Sequence, residues 1–139
     1  MSGAGNNEKQ FIQLFDSKVG KGILNGKRSF KKTNVSISVD NSLHNGNSEI
    51  LIEIDSGNMA KLLVGQYVLL NQLYTGLARN AHFLVVHTYN GYNVQRTLNN
   101  LALVKKLHKY DLSYSAMHIN DMHNWGGGDV GQFLQLAST

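Results

Sequence analysis

Three carboxylates, Asp40, Glu53 and Asp55, sit where strand geometry can bring them together. In Glu49-Ile50-Leu51-Ile52-Glu53-Ile54-Asp55 the alternation puts Ile50, Ile52 and Ile54 on one face and Glu49, Leu51, Glu53 and Asp55 on the other. Period two over this length is the mark of a strand, and residues two apart on one face lie about 6–7 Å apart. Asp40 closes a second alternating run, Val35-Ser36-Ile37-Ser38-Val39-Asp40. If the two strands pair, Asp40 approaches Glu53 and Asp55. Oxygen ligands converging from strand ends suit Mg²⁺ or Mn²⁺, which takes one or two carboxylates and keeps several waters. Such an ion activates water and neutralises charge that builds on a phosphodiester. Four of the nine acids crowd between positions 40 and 55, and none lies from Ser56 to Tyr110. Carboxylates this close repel unless they are solvated or share a cation.

The elements that must position these groups follow from periodicity. Residues 7–17 place Phe11, Leu14 and Phe15 at helical spacing and predict a first helix ending near Gly20. Gly22 to Lys32 carries an Asn25-Gly26 turn signal, which predicts a hairpin there. Asn41 to Ser48 reads as a turn-rich loop, making strands 35–40 and 49–55 antiparallel neighbours. Residues 59–75, with Met59, Leu62, Leu63, Leu70 and Leu73, predict a second helix. His82 to His87 is a short apolar strand with both faces covered. Residues 93–109 predict a third helix, whose Lys105, Lys106 and Lys109 complement its dipole. A last strand over 114–119 and a short helix over 130–136 follow, separated by a Gly-rich break at 126–128. The strand–helix–strand unit over 49–87 implies a parallel pair joined by a crossover.

This order, αβββαβ, resembles the core of the PD-(D/E)XK, or restriction-endonuclease-like, nuclease superfamily. That resemblance implies an α/β fold with a mixed central sheet flanked by helices. The family signature is an Asp on one strand and an acid-x-Lys at the end of the next. Asp40 resembles the first acid, and Glu53-Ile54-Asp55 resembles the acid-x-Lys, thirteen residues on. By resemblance, Asp40, Glu53 and the carbonyl of Ile54 bind the metal, Mg²⁺ or Mn²⁺. Gln66 and Tyr67 are similar to the Gln and Tyr often found on the following helix, and Glu8 to an accessory acid of the first helix. Asp55 stands where the family has its lysine. Three readings stay open: Lys61 supplies the ammonium from the next helix, Asp55 is an added metal ligand, or the site no longer cuts. The resemblance covers residues 8–90 and implies a metal-dependent DNA endonuclease, or alternatively an inactive module that binds nucleic acid or protein.

Composition narrows the rest. The 139 residues fit one domain, with a flexible N-terminus over 1–6. Cysteine is absent, which excludes disulfides, thiolate metal sites and cysteine nucleophiles and suits an intracellular protein, in cytoplasm or nucleus. No apolar run approaches a membrane span, and Met1 to Gln10 is no secretory or transit signal. The net charge of +4 and the run Lys18, Lys21, Lys27, Arg28, Lys31 and Lys32 point to a polyanion, DNA before RNA, along which these side chains would track phosphates. Cutting both strands of a duplex would favour a homodimer. His118 to His123 is rich in ligand types but lacks zinc-protease spacing, and His82 and His87 fall on opposite faces. There is no P-loop, dinucleotide fingerprint or serine elbow.

Overall fold

The computed structural model describes residues 5–58 and 60–139. Met59, and the residues 1–4 of the expected flexible terminus, lie outside that range. In chain order the elements are α1 (Asn6–Lys18), β1 (Arg28–Lys32), β2 (Val35–Val39), β3 (Asn41–Asn45), β4 (Ser48–Asp55), α2 (Ala60–Leu73), β5 (Ala81–His87), α3 (Val94–His108), β6 (Ser113–His118), α4 (Ile119–His123) and α5 (Val130–Leu134). Four strands form a mixed sheet in the order β3-β4-β5-β6, while β1 and β2 form a separate two-stranded sheet. The β3–β4 pair is antiparallel; β4–β5 and β5–β6 are parallel. The architecture is therefore α/β, a mixed sheet flanked by helices.

The parallel pairs need crossovers, and α2 and α3 supply them. On one face of the sheet Leu51, Phe83, Val85 and Ala116 pack with Leu63, Tyr67 and Leu70 of α2 and Leu98 and Leu101 of α3. On the other, Ile50, Ile52, Ile54, Leu84, Val86 and Met117 pack with Phe11 and Phe15 of α1, Met122 of α4 and Phe133 of α5. Burial on both faces is why β5 reads as a nearly continuous apolar run. Phe11, Phe15 and Phe133 form a ring cluster, with Phe15 edge-on to Phe133 at 5.0 Å. Among the described residues no helix is long and apolar enough to cross a membrane.

Two turn assignments differ from expectation. The hairpin of the basic segment turns at Thr33-Asn34, where Lys32 faces Val35, and not at Asn25-Gly26. Gly26 is instead a docking point: its N–H donates to Asn41 Oδ1 at 3.0 Å, and its carbonyl accepts from Ser42 Oγ at 2.8 Å. A backbone φ of 86° lets the chain make this approach, which favours glycine. Residues 41–45, expected as loop, are strand β3, so β2 pairs with β1 and β3 pairs with β4. The Asn45–Ser48 pair closes this second hairpin around Gly46-Asn47.

Candidate functional site

Asp40 is the single residue between β2 and β3, at the point where the chain leaves one sheet and joins the other. Asn41 faces Ile52, so Asp40 arrives beside Glu53 and Ile54. Its Oδ2 accepts the Ile54 N–H at 2.8 Å. A side chain thus takes the place of a ladder bond, and the end of β4 is tied to the sheet junction. The Asp55 carbonyl accepts the Thr88 N–H at 2.9 Å, which fixes β4 on its other side.

Glu8 in the first turn of α1, Asp40, Glu53, Ile54 and Asp55 line one cavity of about 310 Å³. A wider groove of about 610 Å³ shares Glu53 and Asp55 and continues past Lys27, Ser29, Ser36, Ser38 and Gln66. The two spaces meet at Glu53 and Asp55. Burial first, and then the Asp40 charge, push the Glu53 carboxyl up to about 8; a hydrogen bond from Gln66 partly opposes this. Glu8 is also raised, chiefly through its hydrogen bond with Asp40. The neighbouring Asp40 carboxylate contributes to both shifts, and Lys27 acts on Glu8 in the opposite sense. Among the described residues no three Asp, Glu or His side chains already stand in a metal-holding arrangement. The cavity lining includes the carboxylate residues Glu8, Asp40, Glu53 and Asp55, together with Asn7, Ile54 and Ser56.

Asp55 has a neighbour that the sequence did not flag. His87 faces it across the β4–β5 pair, and the two side chains approach to 3.2 Å between Oδ2 and Nδ1. The atoms are out of hydrogen-bond alignment, and neither has another partner. The His87 ring is fully buried, stacked on Tyr92 at 4.0 Å, and its Nε2 lies 2.9 Å from Thr97 Oγ1. Thr97 Oγ1 in turn lies 2.7 Å from the Tyr92 hydroxyl. A buried polar chain therefore stands behind Asp55. Its sequence signal was a lone histidine ending an apolar strand, which core packing explains equally well.

The remaining candidates separate. Glu49 leaves the acidic group: it is buried at the far end of β4, where Arg28 Nε and Nη2 bond it at 2.6 and 3.2 Å and the Tyr74 hydroxyl donates at 2.8 Å. These donors hold its carboxyl below the usual range against the opposing cost of burial. Arg28 is thereby committed to an ion pair. Lys18 is committed too, its ammonium donating to the carbonyls of His123 and Trp125. Lys21, Lys27, Lys31 and Lys32 are exposed. Gln66 donates to the Ser38 carbonyl at 2.9 Å and borders the groove. Tyr67 is fully buried, its hydroxyl donating to the Leu112 carbonyl, so it belongs to the core. Lys61 lines a different cavity, with Asn58, Arg96 and Asn100. His118 caps α4, accepting the Asn120 N–H at Nδ1 and donating from Nε2 to the Tyr89 carbonyl. Comparison with protein-family models, curated proteins and solved structures returns no match.

Proposed function

We propose that this chain is a metal-dependent nuclease that hydrolyses phosphodiester bonds of DNA, built on a divergent restriction-endonuclease-like core. One observation carries the reading. Asp40 and Glu53, thirteen residues apart, line one cavity at a junction of strand ends, where Asp40 Oδ2 accepts the Ile54 N–H. Asp40, Glu53 and the Ile54 carbonyl would hold Mg²⁺ or Mn²⁺, with Asp55 as a further oxygen donor. An all-oxygen donor set suits these hard cations, and crowded carboxyls gain most from one. When bound, the ion supplies Lewis acidity and charge neutralisation at the phosphodiester.

The residues of the chain divide the remaining work. The wide groove receives the strand and leads it to Glu53 and Asp55. Lys27, docked there through Gly26, brings the ammonium that the Asp55 position lacks. Lys21, Lys31 and Lys32 meet neighbouring phosphates as exposed cations. Glu53, pushed up to about 8, must lose its proton before it can bind a cation, so activity rises towards alkaline pH. Cleavage of both strands of a duplex would need two copies of the site, most simply in a symmetric dimer.

The test is incubation with linear, circular and branched DNA in Mg²⁺ or Mn²⁺, beside Asp40→Asn and Glu53→Gln. Cleavage by the parent that is lost in both variants is the expected result. No cleavage of any form, with no divalent-ion binding by calorimetry, would overturn the reading. The placement of Asp55 against His87, in the position of the family's lysine, favours a second reading: a nuclease-like fold that binds without cutting. Salt-sensitive DNA binding that a chelator leaves unchanged would select it.

A further inference from the structure

We infer that Asn58, Lys61, Arg96 and Asn100 form a phosphate subsite that grips the nucleic-acid backbone beside the point of cleavage. The inference rests on the nucleic-acid reading above and names a part of the surface that reading does not use. The four residues line a cavity of about 270 Å³ together with Ala60. Its lining holds two cations and two carboxamides and no acid. Among the described residues neither Lys61 nor Arg96 is in an ion pair, and the chain has no acid from Ser56 to Tyr110. The positive charge there is uncompensated.

Arg96 is also held in place. Its Nη1 donates to Asn58 Oδ1 at 2.7 Å, and its guanidinium lies 5.6 Å from the centre of the Tyr92 ring. That ring is itself fixed by the His87 stack and the Thr97 hydroxyl. One guanidinium N–H is used, and the rest of the planar fork remains for a phosphate, which it matches in geometry. Ala60 and Lys61 open α2, so the positive end of that helix dipole lies at the same cavity. Asp55 and Ser56 line the acidic cavity and Asn58 lines this one. Three residues span at most about 10 Å, so a strand with one phosphate over the carboxylates brings neighbouring phosphates within reach of Arg96. Lys61 then serves in binding, because the cavity it lines contains no carboxylate.

The experiment is fluorescence anisotropy of a labelled single-stranded DNA with the full chain in a chelator, across a salt series. Arg96→Gln and Lys61→Gln are compared with the parent, each checked for folding by circular dichroism. Each variant is expected to bind about threefold or more weakly, with the slope of log K against log salt shallower by about 0.7 for each phosphate it no longer neutralises. Slopes and affinities equal to the parent's would overturn the subsite, as would no binding of the strand by the parent. Lys61→Gln, at an exposed helix position, keeps the test decisive should Arg96→Gln unfold. Inorganic phosphate at matched ionic strength should not displace the strand; displacement would reassign the cavity to free phosphate and overturn the backbone assignment. Cleavage in Mg²⁺ with unaltered variant binding would sink the subsite and spare the nuclease. Weakened variant binding without any cleavage would do the reverse.

Discussion

Glu53 makes the nuclease reading testable without any substrate. Burial and the Asp40 charge raise its carboxyl from an ordinary 4.5 to about 8, so the folded chain binds a proton that the unfolded chain releases at lower pH. The contribution of Glu53 to stability must then fall as pH rises from about 4.5 to about 8, because at this group the folded state is the more protonated one in that window. At about 1.36 kcal/mol for each pH unit of separation, the cost at pH 8 is at most roughly 5 kcal/mol, and local relaxation brings it nearer 2–3 kcal/mol. Glu53→Gln removes the titration while keeping the size and the hydrogen-bonding capacity of the side chain. Urea unfolding in a chelator, at steps between pH 4.5 and 9, reads the difference directly. The variant should match the parent at pH 4.5 and exceed it by about 2–3 kcal/mol at pH 8. Adding Mg²⁺ or Mn²⁺ at pH 8 should recover the parent's deficit and leave the variant unmoved, since a ligand stabilises only the state that binds it. A difference between variant and parent that does not grow between pH 5 and 8, or a variant less stable at every pH, would refute the picture of crowded carboxyls.

Other substitutions probe the surrounding structure. Asp40→Ala leaves the Ile54 N–H without its acceptor and should cost about 1–3 kcal/mol in urea unfolding, whereas Asp40→Asn keeps an acceptor, folds, and fails to cut. Lys27→Ala, at an exposed position, should leave the melting temperature unchanged and lower the cleavage rate about tenfold or more. Thr97→Val strips His87 Nε2 and the Tyr92 hydroxyl of their shared partner in a fully buried position and should destabilise the fold by about 1–3 kcal/mol in thermal melts. Arg28→Ala leaves the Glu49 carboxylate buried beside Tyr74 alone. The destabilisation should be greatest above the ordinary carboxylate range and fade as pH falls and Glu49 protonates, measured as a pH series of unfolding midpoints.

Local pattern determined a good part of this protein. Alternation in 35–39 and 48–55 marks β2 and β4, and the twofold period assigns Ile50, Ile52 and Ile54 to the face that packs on α1. Helical spacing marks α1, α2 and α3 to within a residue or two, because each buries one apolar stripe. The acids Asp40, Glu53 and Asp55 stand out by type and spacing alone. Tertiary structure decided the rest, because periodicity names a strand without naming its partner. Asn41–Asn45 has little strand preference of its own and becomes β3 by pairing with β4. That pairing turns the end of β2 into a junction and aims Asp40 at the Ile54 N–H. Long-range packing also sorted like residues into different roles. Arg28 and Tyr74 withdraw Glu49 from the acidic group, the core absorbs Tyr67, and the Gly26 hydrogen bonds carry Lys27 to the groove. Arg96 and Lys61 are thirty-five residues apart in the chain and meet only because α2 and α3 pack side by side on one face of the sheet.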